Sequence, residues 1–256
     1  MKKTQDSVLL RGKGITKSFS QGDKSTKVLD QIDIEIYEGD FTVIMGSSGA
    51  GKSTLLYNLS GMDRPSGGSV FFRGKEITNC TERQMARLRA DEFGFVFQKT
   101  HLVTSLSLYE NILLAGYLSD KLTEAEARKR ADALVEQMDL GEAKNRRPSA
   151  VSGGEAQRAS VARAVIGMPS ILFADEPTGA LNKKNSEEVM SIFSSLAALG
   201  QTVLLVTHDT QAALHGNRIL YLEDGKIIEE LGLATYNGTD REREDKLNNW
   251  LTSLRW

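Results

Sequence analysis

The string Gly46-Ser47-Ser48-Gly49-Ala50-Gly51-Lys52-Ser53 stands between an apolar run, Phe41 to Met45, and a helical run that opens Thr54-Leu55-Leu56-Tyr57. Strand, glycine-rich turn and helix in that order match the phosphate-binding loop pattern. Glycines at these offsets let backbone N–H groups turn inward around phosphate oxygens, and the helix start behind them adds partial positive charge. Lys52 is then expected to reach the β- and γ-phosphates and the Ser53 hydroxyl to ligate Mg²⁺, with Thr54 completing the loop. A Gly/Ser-rich turn without a ligand rarely carries Lys-Ser at this offset between a strand and a helix.

Composition narrows the ligand. With 32 basic and 34 acidic residues the formal charge is −2, so no summed positive field draws nucleic acid to the chain, and phosphate needs a local site. The single cysteine, Cys80, has no partner for an internal disulfide and no Cys or His neighbours for zinc, and reads as a buried or idle thiol. Met1-Lys2-Lys3 is followed by no apolar run, so the start is not expected to be a secretory signal, and a cytoplasmic chain is expected. Val189 to His208 is free of formal charge for 20 residues, about a membrane span, but Gly200-Gln201-Thr202 cuts it. Ile192, Leu196 and Leu199 repeat at helical spacing before the cut, and Val203 to Val206 reads as a strand after it. Any membrane span is expected on another chain.

Val8-Leu9-Leu10, Ile32 to Ile36, Phe41 to Met45 and Val70-Phe71-Phe72 read as strands broken by turn residues. From 81 to 167 helices are expected to dominate, because Thr81, Ser107, Thr123 and Ser152 are each followed three places on by Glu or Gln, a capping-box spacing. In one of these helices Ala127, Ala131, Leu134, Val135 and Met138 share a face, and Gly141 is expected to stop it. Strands return at Ile171 to Ala174 and Val203 to Val206. The alternation predicts an α/β fold with a mainly parallel core sheet and an inserted helical subdomain.

Ile171-Leu172-Phe173-Ala174-Asp175-Glu176 is an apolar strand ending in two carboxylates. Asp175 is read as a metal ligand. Alternation along the strand would turn Glu176 the other way, toward the γ-phosphate as base. Taken alone the pair is also an ordinary solvated turn, and the neighbouring loop gives it its meaning. In Val151-Ser152-Gly153-Gly154-Glu155 the serine caps a helix and the glycines expose N–H groups at its positive end, a second anion site or a plain helix start.

The Ser152 string resembles the signature of the ABC transporter ATP-binding subunits, Leu-Ser-Gly-Gly-Gln in its common form, with Val151 and Glu155 as conservative departures. The resemblance covers residues 8 to about 230. It implies an ABC ATPase domain over 1–231: a P-loop NTPase core, an N-terminal antiparallel β subdomain and a helical signature subdomain at about 100–167. It further implies that ATP and Mg²⁺ are bound, and that Ser152, Gly153 and Gly154 face the ATP of a second subunit across a homodimer. Gln98 falls at the family's glutamine that touches Mg²⁺ or water, His208 at the histidine that contacts the γ-phosphate, and Phe19 at the aromatic that stacks on adenine. Phe19 also reads as a core phenylalanine, and Gln98 as a strand-end amide. His101 and His215 match nothing and are expected at the surface. Gly179-Ala180-Leu181-Asn182 departs from the family's usual Leu-Asp ending. Glu176 to Leu181 and the lack of a regulatory domain resemble the branch of macrolide exporters, lipoprotein-release ATPases and bacitracin-type peptide-resistance transporters. The nearest likeness is to the last.

The implied function is to power a membrane-spanning permease from the cytoplasmic face, exporting or removing antimicrobial peptides or lipophilic substrates. The alternative is a non-transport ABC ATPase driving cell-division or protein-release remodelling. A GTPase reading, prompted by Asn182-Lys183-Lys184-Asn185, lacks the guanine-reading Asp. DNA-repair ABC proteins would separate loop and signature by far more than the roughly hundred residues present. A scaffold role would leave Glu176 and His208 without a purpose. In the tail, 232–256, Thr239 and Glu242 form a further capping box, and Leu247, Trp250, Leu251 and Leu254 share a helical face that either closes over the domain or meets a partner.

Overall fold

The computed structural model describes residues 7–21, 24–238, 241–254 and 256; the readings made on Met1 to Asp6 and on Thr239 lie outside the described residues. The chain runs β1 (Val8–Gln21), β2 (Lys24–Tyr37), β3 (Phe41–Met45), α1 (Lys52–Leu59), β4 (Gly67–Phe72), β5 (Lys75–Glu76), α2 (Glu82–Glu92), β6 (Phe93–Phe97), α3 (Leu108–Leu118), α4 (Glu124–Gln137), α5 (Gly153–Val165), β7 (Ile171–Asp175), α6 (Lys183–Ala198), β8 (Thr202–Val206), α7 (Thr210–Ala213), β9 (Arg218–Glu223), β10 (Lys226–Gly232) and α8 (Arg241–Ser253). Two compact units divide it, one from the start to Thr81 plus Ala197 onward, the other Glu82 to Leu196.

In the first unit β3 pairs in parallel with β8 and β9, and β10 adds an antiparallel edge. Every residue of β3 and β8 is buried, which is why both read as unbroken apolar runs rather than alternating ones. A second, antiparallel sheet has the order β2-β1-β4-β5. β1 outruns the short strand read at Val8 to Leu10, because its polar stretch Thr16 to Ser20 is held by ladder pairing, with partners such as Lys17↔Leu29 and Phe19↔Thr26. The tail helix α8 packs within this unit. Leu247 and Leu251 are buried, each contributing about 1.5–3 kcal/mol if buried in full, and Tyr221 meets both Trp250 and Trp256 edge-on.

In the second unit β6 and β7 pair in parallel, Phe93↔Ile171 through Phe97↔Asp175. Phe173 stacks on Phe95 at 5.5 Å and meets Phe93 edge-on at 5.3 Å, tying the two neighbouring strands together across one face of the sheet. Complete capping boxes start α3, α4 and α5, on Ser107, Thr123 and Ser152. Gly141 does not stop α4. Asp139 takes the left-handed turn at φ 50, and the Leu140 N–H donates back to the Val135 carbonyl at 2.9 Å, a Schellman closure two residues earlier than expected. The uncharged stretch from Val189 resolves into the end of α6, a left-handed Gly200 and β8. The buried stripe of α6 is Val189, Met190, Phe193 and Leu196; Leu199 lies past the helix end and is 80% exposed. Among the described residues no helix is long and apolar enough to cross a membrane.

Candidate functional site

The loop 46–53 leaves the end of β3, and its shape follows from two close approaches. A methyl on Gly46 would lie 2.2 Å from the Leu222 carbonyl oxygen of β9. Gly51, at φ 102, caps α1 with no side-chain hydrogen bond, and a methyl there would sit 3.0 Å from the Val28 carbonyl of β2. Lys52 is 7% exposed, and its ammonium donates to the Gly46 carbonyl at 2.7 Å and the Ser47 carbonyl at 3.0 Å, lying beneath the exposed tip Ser47-Ser48-Gly49. The donor set fits a phosphate chain: one ammonium, the hydroxyls of Ser47, Ser48, Ser53 and Thr54, no carboxylate in the loop, and an uncapped helix start.

His208 joins this loop through the parallel ladder. Ile44 is in register with Val206, and the Thr207 N–H donates to the Ile44 carbonyl at 3.1 Å, so Gly46 and His208 leave neighbouring strands at the same, C-terminal edge. His208 is exposed there. Phe19 is 49% exposed on β1, with the Lys17 ammonium 5.2 Å from its ring centre, so it is not a core residue.

Gln98, Asp175 and Glu176 come together in the second unit, because the register Phe97↔Asp175 ends both strands at one level. Strand alternation does not orient Glu176. β7 stops at Asp175 and Glu176 adopts φ 46, a left-handed conformation costing a non-glycine residue on the order of 1 kcal/mol or more. The turn it makes is closed by the Gly179 N–H donating to the Glu176 carbonyl at 3.0 Å. Ser hydroxyl, Gln amide and Asp carboxylate are all hard oxygen donors, and Ser53, Gln98 and Asp175 are in kind what Mg²⁺ takes.

At α5 the Ser152 N–H donates to Glu155 Oε2 at 2.7 Å, and the Glu155 N–H donates to Ser152 Oγ at 3.2 Å. Those bonds, led by the one from the Ser152 backbone, hold the Glu155 carboxyl below its ordinary range. Gly153 is exposed while Gly154 is buried against Asn185. Two residues that the motifs did not mark fix α5 to the chain around Gln98. Gln157 Nε2 donates to the Phe97 carbonyl at 3.0 Å, and Arg163 donates to the Thr100 and His101 carbonyls, each at 2.7 Å. Nothing in the spacing of Gln157 or Arg163 signals these long-range bonds. Gln98 also reaches the next loop: a methyl on Gly179 would lie 2.9 Å from its Nε2.

His101 is exposed as expected, but His215 is not a free surface residue. Its ring lies 4.2 Å from that of Tyr236, and burial, with the Arg243 charge beside it, pushes its pKa down to about 4.

A glycine-rich loop between a buried parallel strand and a helix is the defining unit of a P-loop NTPase fold. The model of the family described as ABC transporter matches residues 29–179. The macrolide export ATP-binding/permease protein MacB of Wolinella succinogenes is 43% identical over 86% of this chain and 34% of its own length. That of Marinobacter nauticus is 38% identical over 96% and 39%. Among solved structures, the dimeric post-hydrolysis ATP-binding cassette MJ0796, bound to ADP and Pi, superposes with a TM-score of 0.82 at 34% identity, covering 89% of this chain and 100% of that one. The chain belongs to the ABC transporter family. It spans little more than a third of the length of the MacB proteins it matches.

Proposed function

We propose that the chain binds ATP and Mg²⁺ and hydrolyses ATP to ADP and phosphate. The buried Lys52 ammonium inside a carboxylate-free loop at the uncapped start of α1 carries the reading. Backbone N–H groups of 46–54 and the Lys52 ammonium hold the phosphates, and Phe19 stacks on the adenine. Ser53, Gln98 and Asp175 hold Mg²⁺, which when bound offsets the charge that builds on the phosphate oxygens. Glu176 takes a proton from water as its oxygen attacks the γ-phosphorus and the bond to the β–γ bridging oxygen breaks, while His208 donates to the γ-phosphate.

The family relationship and the cassette dimer support the wider reading. Ser152, Gly153 and Gly154 serve the ATP of a second copy, and the dimer drives a membrane-spanning permease at the cytoplasmic face. Residues 1–231 form the cassette, with its helical part at about 100–167, and 232–256 its tail. The MacB relatives favour export, and the loop 176–181 favours antimicrobial peptides or lipophilic substrates of the bacitracin-resistance kind.

Replacing Glu176→Gln tests the assignment. Turnover should fall about a hundredfold or more with ATP still bound, and size-exclusion with Mg²⁺ and ATP should show a stabilised dimer. A monomeric variant that hydrolyses at the wild-type rate would refute both the base and the two-chain site.

A further inference from the structure

His208 opens a segment that rejoins the sheet only at Asn217, whose N–H donates to the Phe41 carbonyl at 3.0 Å and whose Oδ1 accepts from the Phe41 N–H at 2.7 Å. The near side of that segment is fixed locally. Thr207 Oγ1 accepts from the Asp209 N–H at 3.0 Å, and Asp209 Oδ1 accepts from the Gln211 N–H at 2.9 Å. Helix α7, which follows, is only Thr210–Ala213, far too short to hold itself in water, and it is closed by the His215 N–H donating to the Ala212 carbonyl at 3.2 Å and the Gly216 N–H to the Ala213 carbonyl at 3.1 Å.

The far side is held from the tail. Arg243 of α8 donates from Nε to the Leu214 carbonyl at 2.6 Å, from Nη1 to the Ala234 carbonyl at 2.6 Å, and from Nη2 to the Gly216 carbonyl. It is 8% exposed, so its charge is withdrawn from water and its fork of donors needs these oxygens. Tyr236 completes the fixture, with His215 on its ring at 4.2 Å and the Arg243 guanidinium carbon 5.5 Å from its centre. Gly216 is packed closely on the sheet, where a methyl would lie 2.5 Å from Val43 Cγ2.

We propose that Arg243 is a positioning residue for His208: through the Leu214 and Gly216 carbonyls, helix α8 sets how firmly the segment 208–216 holds the imidazole, so the tail tunes hydrolysis without touching nucleotide. The inference rests on the reading of His208 as a γ-phosphate contact. A helix that merely docked would need only Leu247 and Leu251; the guanidinium adds bonds to the far end of the His208 segment.

The full chain is compared as wild type, Arg243→Ala, Arg243→Lys, His208→Ala and the His208→Ala/Arg243→Ala double variant, by fluorescent-nucleotide titration, turnover, and amide exchange at Leu214 to Gly216. Arg243→Ala should keep nucleotide affinity within about twofold, lower turnover about tenfold and speed exchange in that segment. Arg243→Lys should recover part of the turnover, because one ammonium keeps the charge but not the three-way fork, and it carries the test if the alanine variant does not fold. In the His208→Ala background, removing Arg243 should lower turnover no further. Equal loss of affinity and turnover, or the same loss with and without His208, would overturn the inference and leave Arg243 as a docking residue. Wild-type turnover in His208→Ala would overturn the reading of His208 first, and this inference with it.

Discussion

Two helix starts in this chain are rich in serine and glycine, and they are finished in opposite ways. At α1 the cap is a left-handed Gly51 with no side-chain bond, and a buried ammonium sits within the loop. At α5 Ser152 and Glu155 satisfy each other's backbone N–H groups, and the only charge contributed to the first turn is negative. A helix start left open beside a cation is built to receive an anion. One that is already capped, with an exposed Gly153 beyond its cap, offers backbone contacts but little net attraction, and suits an anion that another molecule has already bound. The contrast is what the proposed assignment requires, with one loop serving the ATP of its own chain and the other a neighbour's.

The contrast breaks most readily at Lys52. Lys52→Ala should weaken ATP binding about tenfold or more in a fluorescent-nucleotide titration, because the only mobile cation leaves a backbone-lined cradle. Unchanged affinity would mean that the α1 start does not select for the anion by charge.

A smaller effect is expected at Glu155. Its carboxyl titrates below the usual 4.5 when folded, so its contribution is present above pH 4.5 and lost as pH falls through the depressed value. Glu155→Ala should therefore be less stable than wild type by about 0.5–1 kcal/mol at pH 7, and the gap should close on acidification below 4.5. Thermal melting of both proteins from pH 7 downward reads this, and a gap that persists in acid would assign the loss to something other than the charged cap.

The smallest expected effect lies at Asn182. Its Oδ1 accepts from the Asn185 N–H at 2.9 Å, capping α6, and Asn185 in turn packs on Gly154 at the α5 start. Asn182→Asp should leave stability within about 1 kcal/mol, since both residues cap well. It should still alter maximal rate or cooperativity, because it adds a charge beside the α5 start. A match to wild type in both would make the departure from Leu-Asp a matter of capping alone.

What the sequence made legible was local. The loop 46–53, the strand ending in Asp175 and three capping boxes each depend on residues within a few positions of one another. What escaped depends on partners far along the chain. β1 extends to Gln21 only because β2 and β4 supply its ladder, and Glu176 leaves the strand in a left-handed turn that no alternation pattern encodes. Gln157 and Arg163 earn their place from carbonyls some 60 residues away. His215 looked like a surface residue because Tyr236 and Arg243, which bury it, come from the far side of β9 and β10.

The central claim, that one ATP is handled by the α1 start of one chain and the α5 start of another, is tested most directly by mixing two inactive variants. Lys52→Ala fails at its own loop, and Ser152→Arg should bind ATP as a monomer yet turn nothing over. Random pairing makes half of the dimers mixed, each with one site of two intact, so the mixture should recover about a quarter of wild-type turnover while each variant alone stays near zero. A mixture no more active than its separate components would contradict the two-chain site.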